Sequence, residues 1–173
     1  MRPWISVDRW KGLQLLWIGA LSVLPDIDFV PGFLTGNPNR FHHGITHSIA
    51  FCLAASGILA LLPRAAKQGI GLPEGRVILA VLATHLVLDF FTRDQAPPIG
   101  MPIFWPVAGG GFASPIILFP DIVKASRSEV FIKSLFNVHN LRAVMVESAV
   151  LGPLTVLAFL GSRRRREAAD RPS

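Results

Sequence analysis

The sequence predicts an all-α integral membrane bundle of three to four helices, joined by one long Pro/Gly-rich interfacial loop. Three observations predict it. Hydrophobic residues make up 51% of the 173 and charged residues only 16%, against about a quarter charged in soluble domains. Mean hydropathy is +0.48. Four apolar runs are separated by polar or Pro/Gly-rich segments. Residues 1–162 are read as one membrane-embedded domain and 163–173 as a basic cytoplasmic tail.

The first run is Leu13 to Leu24, extended upstream by the amphipathic flank from Trp4 to Gly12. The second is Ile45 to Leu62, closed by Pro63. The third is Val77 to Phe91, and the fourth is Ala143 to Leu160, which contains Glu147 and Gly152-Pro153. A full span needs about 20 apolar residues, and only the second run comes close on its own. The alternative is a soluble domain of tightly packed, buried helices. Between the third and fourth runs, Thr92 to Asn140 carries six prolines and a Gly triplet. It reads as an interfacial loop with a short amphipathic helix near Ser128 to Val138.

Lys and Arg prefer cytoplasmic loops near the spans. Arg2, Arg9 and Lys11, then Arg64, Lys67 and Arg76, then Arg163 to Arg166 fall on one side if there are four spans. Both termini are then cytoplasmic, and the segment from Pro25 to Gly44 faces out. Formal net charge is +6. No aromatic or Gly-rich binding pattern accompanies the Arg run, so a membrane-flanking tail is expected and no nucleic acid partner. The single Cys52 excludes an intrachain disulfide and a thiolate zinc cluster; in its apolar run it reads as a packing residue.

The polar residues are gathered rather than scattered. Asp26 and Asp28 follow the first run, where Pro25 ends or kinks the helix. On an extended segment, residues i and i+2 point the same way. His43 and His47 are four apart at the start of the second run and share a face if that stretch is helical, with His42 adjoining. His85 and Asp89 are four apart in the third run. In the four-span topology all of these lie at one membrane level. Ionisable residues in membrane segments are costly and mark function, and imidazole with carboxylate suits zinc, and also manganese or iron. Each pair has a plain alternative: a helix stop for the aspartates, capping and surface roles for His43 and His47, a structural hydrogen bond for His85 and Asp89. His139 has no partner at ligand spacing. Glu147 either pairs with an Arg or lines the site.

These residues resemble a known pattern. "LPDID" at 24–28, "HHGITHS" at 42–48, "HLVLD" at 85–89 and "FWP" at 104–106 are similar, in order, to the motifs of the membrane-bound metal-dependent hydrolases. That bacterial inner-membrane family is also known as the LexA-binding, inner-membrane-associated hydrolases. It carries Arg at the position of His43, so the resemblance favours His42 with His47 as ligands and His43 as an additional one. The motif style is also similar to helical zinc-dependent phospholipases C, an analogy only.

The resemblance implies a divalent cofactor, Zn2+ first and Mn2+ or Fe2+ next, held by Asp26, Asp28, His42, His47, His85 and Asp89. It implies hydrolysis of a phosphoester or ester in a lipid or lipid-linked substrate by a metal-activated water. Asp26 or Asp28 would be the catalytic base and the Trp105-Pro106 loop would cover the entrance. Localisation would be the inner membrane, multi-pass, with the site on the outer side. The rival reading is a non-catalytic membrane protein with a structural metal that acts by binding a partner. Six or seven ligands exceed the four of a closed structural zinc site, which favours chemistry.

Overall fold

The computed structural model describes residues 6–92 and 99–169. Arg2, Trp4, Arg93 and the end of the basic tail lie outside them. The described residues are helical: α1 (Ser6–Ser22), α2 (Phe29–Leu34), α3 (Ile49–Leu61), α4 (Arg64–Ile70), α5 (Gly75–Phe90), α6 (Ser128–Ser134) and α7 (Val138–Ala169). Among these residues, β-pairing is limited to isolated bridges, Thr92 with Phe119 and Met101 with Phe112. The expected all-α class holds.

The four apolar runs become α1, α3, α5 and α7, but their lengths depart from a uniform set of spans. At 1.5 Å per residue, the 13 residues of α3 reach about 20 Å, short of the roughly 30 Å hydrocarbon core. Among the described residues, one helix, α7 over Val138–Ala158, is long and apolar enough to cross a bilayer. Gly12–Ser22 with Pro25–Leu34, bent by 51°, qualifies as a second if counted as one broken span. The bend follows from Pro25, which cannot continue α1 and opens a 3₁₀ turn over Pro25–Asp28. The second run is interrupted too. Its first residues form a 3₁₀ turn, Ile45–His47, and α3 starts only after Ser48, whose hydroxyl accepts the Phe51 N–H at 3.1 Å.

Helices α1, α3 and α5 pack around Leu21, Cys52, Ile78, Leu82 and Leu86. Cys52 is a packing residue there, as expected. Met101 joins this core and pins the long loop to it. The Trp17 indole N–H donates to the Ile70 carbonyl at 2.6 Å, tying α1 to α4. Helix α7 differs: only 6% of its apolar window is buried. Val144, Met145, Leu154 and Leu157 are all more than half exposed. An exposed apolar surface of this length needs hydrocarbon or a partner to cover it, which argues against the soluble alternative. The helix continues in backbone terms past residue 163, so no break marks the start of the basic tail.

Candidate metal centre

Three elements deliver the site. The turn after α1 supplies Asp26 and Asp28. The irregular segment before α3 supplies His42, His43 and His47. The last turns of α5 supply His85 and Asp89. The aspartates lie on a 3₁₀ turn, not the extended segment whose alternation was expected to align them. His43 and His47 are not on a common helix. His43 has φ of 58°, a left-handed backbone that costs a non-glycine residue about 1–2 kcal/mol. That unusual turn brings its ring in: Nε2 lies 4.0 Å from Asp89 Oδ2, and the ring centroid is 4.1 Å from that of His42.

Two carboxylate oxygens flank the His47–His85 pair, Asp26 Oδ1 and Asp89 Oδ2. His47 Nε2 lies 3.6 Å from Asp26 Oδ1 and 3.3 Å from Asp89 Oδ2. His85 Nε2 lies 3.7 Å and 3.1 Å from the same two oxygens, and 3.4 Å from His47 Nε2. Ligands bonded to a tetrahedral zinc at about 2.0–2.1 Å stand about 3.3 Å from each other. The spacings within the Asp26–His47–His85 group, and those from Asp89 to the same two nitrogens, are each close to that value. Asp89 Oδ2 adds to the fit. It is buried and, among the described residues, has no hydrogen bond of acceptable geometry, although two ring nitrogens are near. Donors that aim at a shared centre rather than at each other produce this pattern.

The other ring nitrogens are already committed. A carbonyl can only accept, so His85 Nδ1 carries the proton and donates to the Ser22 carbonyl at 2.7 Å. That carbonyl is one of those left unpaired where α1 ends. His47 Nδ1 is 3.0 Å from Asp28 Oδ2. The same oxygen accepts from the Gly44 N–H at 3.0 Å and the Thr46 hydroxyl at 3.1 Å. Both Nε2 atoms are thereby turned to the centre, the arrangement in which metal-bound histidines are usually held. Gly44, Thr46 and the Ser22 carbonyl did not stand out in the sequence as site groups. Gly44 and Thr46 do lie within "HHGITHS".

The electrostatics ask for a cation. His47 is fully buried, which disfavours its charged form. The carboxylates of Asp26, Asp28 and Asp89 beside it outweigh burial and push its pKa up to about 11. A proton there does what a metal ion would do. His42 goes the other way. Burial lowers its pKa, the Asp28 bond offsets this in part, and the charges of His43 and Lys124 lower it further. Its ring stacks on Phe29 at 4.1 Å, and Nδ1 lies 3.3 Å from Asp28 Oδ1 and 3.7 Å from Asp26 Oδ1.

The remaining residues divide between site and periphery. Glu147 is half-buried on the face of α7 that also carries buried Ala143, within reach of the Asp89 charge. His139 stands apart, 3.1 Å from Asp121 Oδ1. Trp105 is 41% exposed. Its loop docks beside the centre, where the Ile49 N–H donates to the Ile103 carbonyl at 3.0 Å.

A family model for the YdjM inner membrane protein matches residues 3–165. The chain belongs to the YdjM inner membrane protein family. Membership places this YdjM-family chain in the bacterial inner membrane and agrees with the exposed apolar α7. No curated protein and no solved structure matches it. The family description names a location and no reaction.

Proposed function

We propose that this chain is a multi-pass, metal-dependent membrane hydrolase that cleaves a phosphoester or ester in a lipid or lipid-linked substrate. The observation that carries the reading is the gathering of Asp26 and Asp89 about the His47–His85 pair, with both histidines oriented from behind. A divalent ion in such a site, zinc first and manganese or iron next, supplies a water of pKa near 7 and polarises the scissile oxygen.

The protein's own groups then have separable roles. His47, His85, Asp89 and Asp26 Oδ1 hold the ion. Asp28 is a positioning residue, because its Oδ2 is occupied by Gly44, Thr46 and His47. Asp26 is the catalytic carboxylate. Its side chain is 31% exposed, more than that of Asp28 or Asp89. Its contacts to His42, His47 and His85 all use Oδ1, which leaves Oδ2 to take a proton. In the hydrolysis, the water oxygen bonds to the phosphorus or carbonyl carbon and the ester bond breaks. The proton taken from water passes to the leaving alkoxide.

A lipid substrate is supported by an apolar cavity of about 460 Å³ between α3 and α5. Ile49, Leu53, Leu86, Phe90 and Ile103 line it. The elements that line it, the start of α3 and the end of α5, are those that carry or adjoin His47, His85 and Asp89. The loop that carries Trp105 and Pro106 reaches this cavity through Ile103. The bundle reading is that α1 with its bent continuation, α3, α5 and α7 are all embedded, with both termini cytoplasmic and the centre near the outer surface.

The test is release of product from a panel of phospholipids, lipid-linked phosphates and acyl esters, with and without a chelator. Chelator-sensitive turnover of one class supports the proposal. Metal bound without turnover of any class moves the assignment to a metal-stabilised protein that acts through a partner.

A further inference from the structure

Asp26 belongs to more than one donor set. One is the group with His47 and His85; another joins Asp26, Asp28 and His42, with donor atoms within 4.8 Å of each other. In the second set His42 Nδ1 is 3.3 Å from Asp28 Oδ1 and 3.7 Å from Asp26 Oδ1. Side-chain exposure is 10% for His42 and 7% for Asp28, so these are built-in groups rather than surface neighbours. Asp28 divides its oxygens: Oδ2 orients His47 while Oδ1 faces His42. Asp26 Oδ1 is the atom shared by both sets, 3.6, 3.7 and 3.7 Å from His47, His85 and His42.

We propose that the centre holds two divalent cations bridged by Asp26, the second bound by Asp26, Asp28 and His42, and that its substrate is a phosphoester. The inference rests on the hydrolase reading and narrows it. Charge supports the count. Asp26, Asp28 and Asp89 bring three negative charges to one place. One divalent ion leaves the group at −1, which repels a phosphate. Two leave it at +1, which attracts one. Paired cations also suit in-line displacement at phosphorus, where the attacking and leaving oxygens both need stabilisation. The bond balance is that of the hydrolysis above: a P–O bond forms from water, the ester P–O bond breaks, and one proton reaches the leaving alkoxide.

The experiment uses the full chain in detergent, loaded with Mn2+ and freed of excess metal. Elemental analysis is expected to give two ions per chain for the wild type and one for His42→Ala. Electron paramagnetic resonance of the wild type is expected to show an exchange-coupled pair, and of His42→Ala the hyperfine pattern of an isolated ion. Inorganic phosphate is expected to perturb the coupled signal. One uncoupled ion in the wild type, lost in His85→Ala but kept in His42→Ala, overturns the pair and leaves the single-ion hydrolase standing. No bound ion in the wild type overturns both. A coupled pair indifferent to phosphate overturns the substrate class. The wild-type spectrum decides the count even where His42→Ala does not fold.

Discussion

His47 is the residue on which the centre turns, because it meets Asp26 and Asp89 through one nitrogen and Asp28 through the other. In the metal-free chain its pKa is raised from about 6.5 to about 11. A raised folded-state pKa stabilises fully below the unfolded value and is lost as pH climbs through the folded one. The metal-free protein is therefore expected to lose stability between about pH 6.5 and 11. Metal affinity should rise over the same window, since the ion must displace that proton. Melting curves and metal titrations across this range check both signs; a metal affinity that falls with pH contradicts the assignment. Two carboxylate variants separate roles. Asp28→Asn should weaken metal binding about 10–100-fold, the usual effect of removing a group that orients a liganding histidine. Asp26→Asn should lower turnover by at least about 10²–10⁴, the usual share of general base catalysis, and weaken metal binding as well, since Oδ1 faces the donors of both sets. Equal metal affinity in Asp28→Asn and wild type would remove Asp28 from its positioning role.

Among elements, α2 decides where His42 sits. It packs on the 3₁₀ turn Pro38–Phe41 through Gly32, where an added Cβ would stand 2.7 Å from Pro38 Cα. Gly32→Ala must push the two segments apart, an overpacking cost of about 1–3 kcal/mol. It should lower the melting temperature and weaken metal binding, although residue 32 touches no ligand; an unchanged melting curve would rule out that close packing. Neither α2 nor the two turns beside it was legible in the sequence. Their residues read as loop because Pro25, Pro31 and Pro38 interrupt any helical period, and proline suits the opening of a short turn as well as it breaks a long helix. Helix α5 was legible almost to its ends, because its apolar run is continuous and its polar pair has helical spacing. The His85–Asp89 pair survives as predicted for that reason. The His43–His47 spacing coincided with helical spacing but the backbone there is not helical.

At the scale of the whole molecule, the exposed apolar face of α7 and the bent pair Gly12–Ser22 with Pro25–Leu34 are the candidate membrane-crossing segments among the described residues. The expected topology has the segment after α1 on the outer side and the end of α7 in the cytoplasm. Arg40→Cys and Ser162→Cys, each in a Cys52→Ser background, test it with an impermeant thiol reagent on intact cells. Labelling of position 40 and protection of position 162 is the expected outcome, and the reverse pattern inverts the orientation. Trp105→Ala should reduce lipid turnover while leaving bound metal unchanged, because its loop reaches the cavity through Ile103 and contributes no ligand. Loss of metal in that variant would mean that the loop holds the centre together.

Composition, apolar runs and three short motifs determined by themselves that this is a helical membrane protein with a polar group concentrated near one level. Burial of apolar surface and the high cost of ionisable groups in hydrocarbon leave few other outcomes for such a pattern. Only the tertiary structure decided which nitrogen of each histidine faces the centre, that Asp28 works from behind, and that Asp26 is shared. Those facts depend on a kinked turn, a left-handed His43 and a carbonyl at the end of α1 that His85, not its own helix, satisfies. Pro25 sets the turn locally, but the contacts that fix the ring orientations join segments far apart in the chain, such as His85 to Ser22 and His47 to Asp28, which no local spacing encodes.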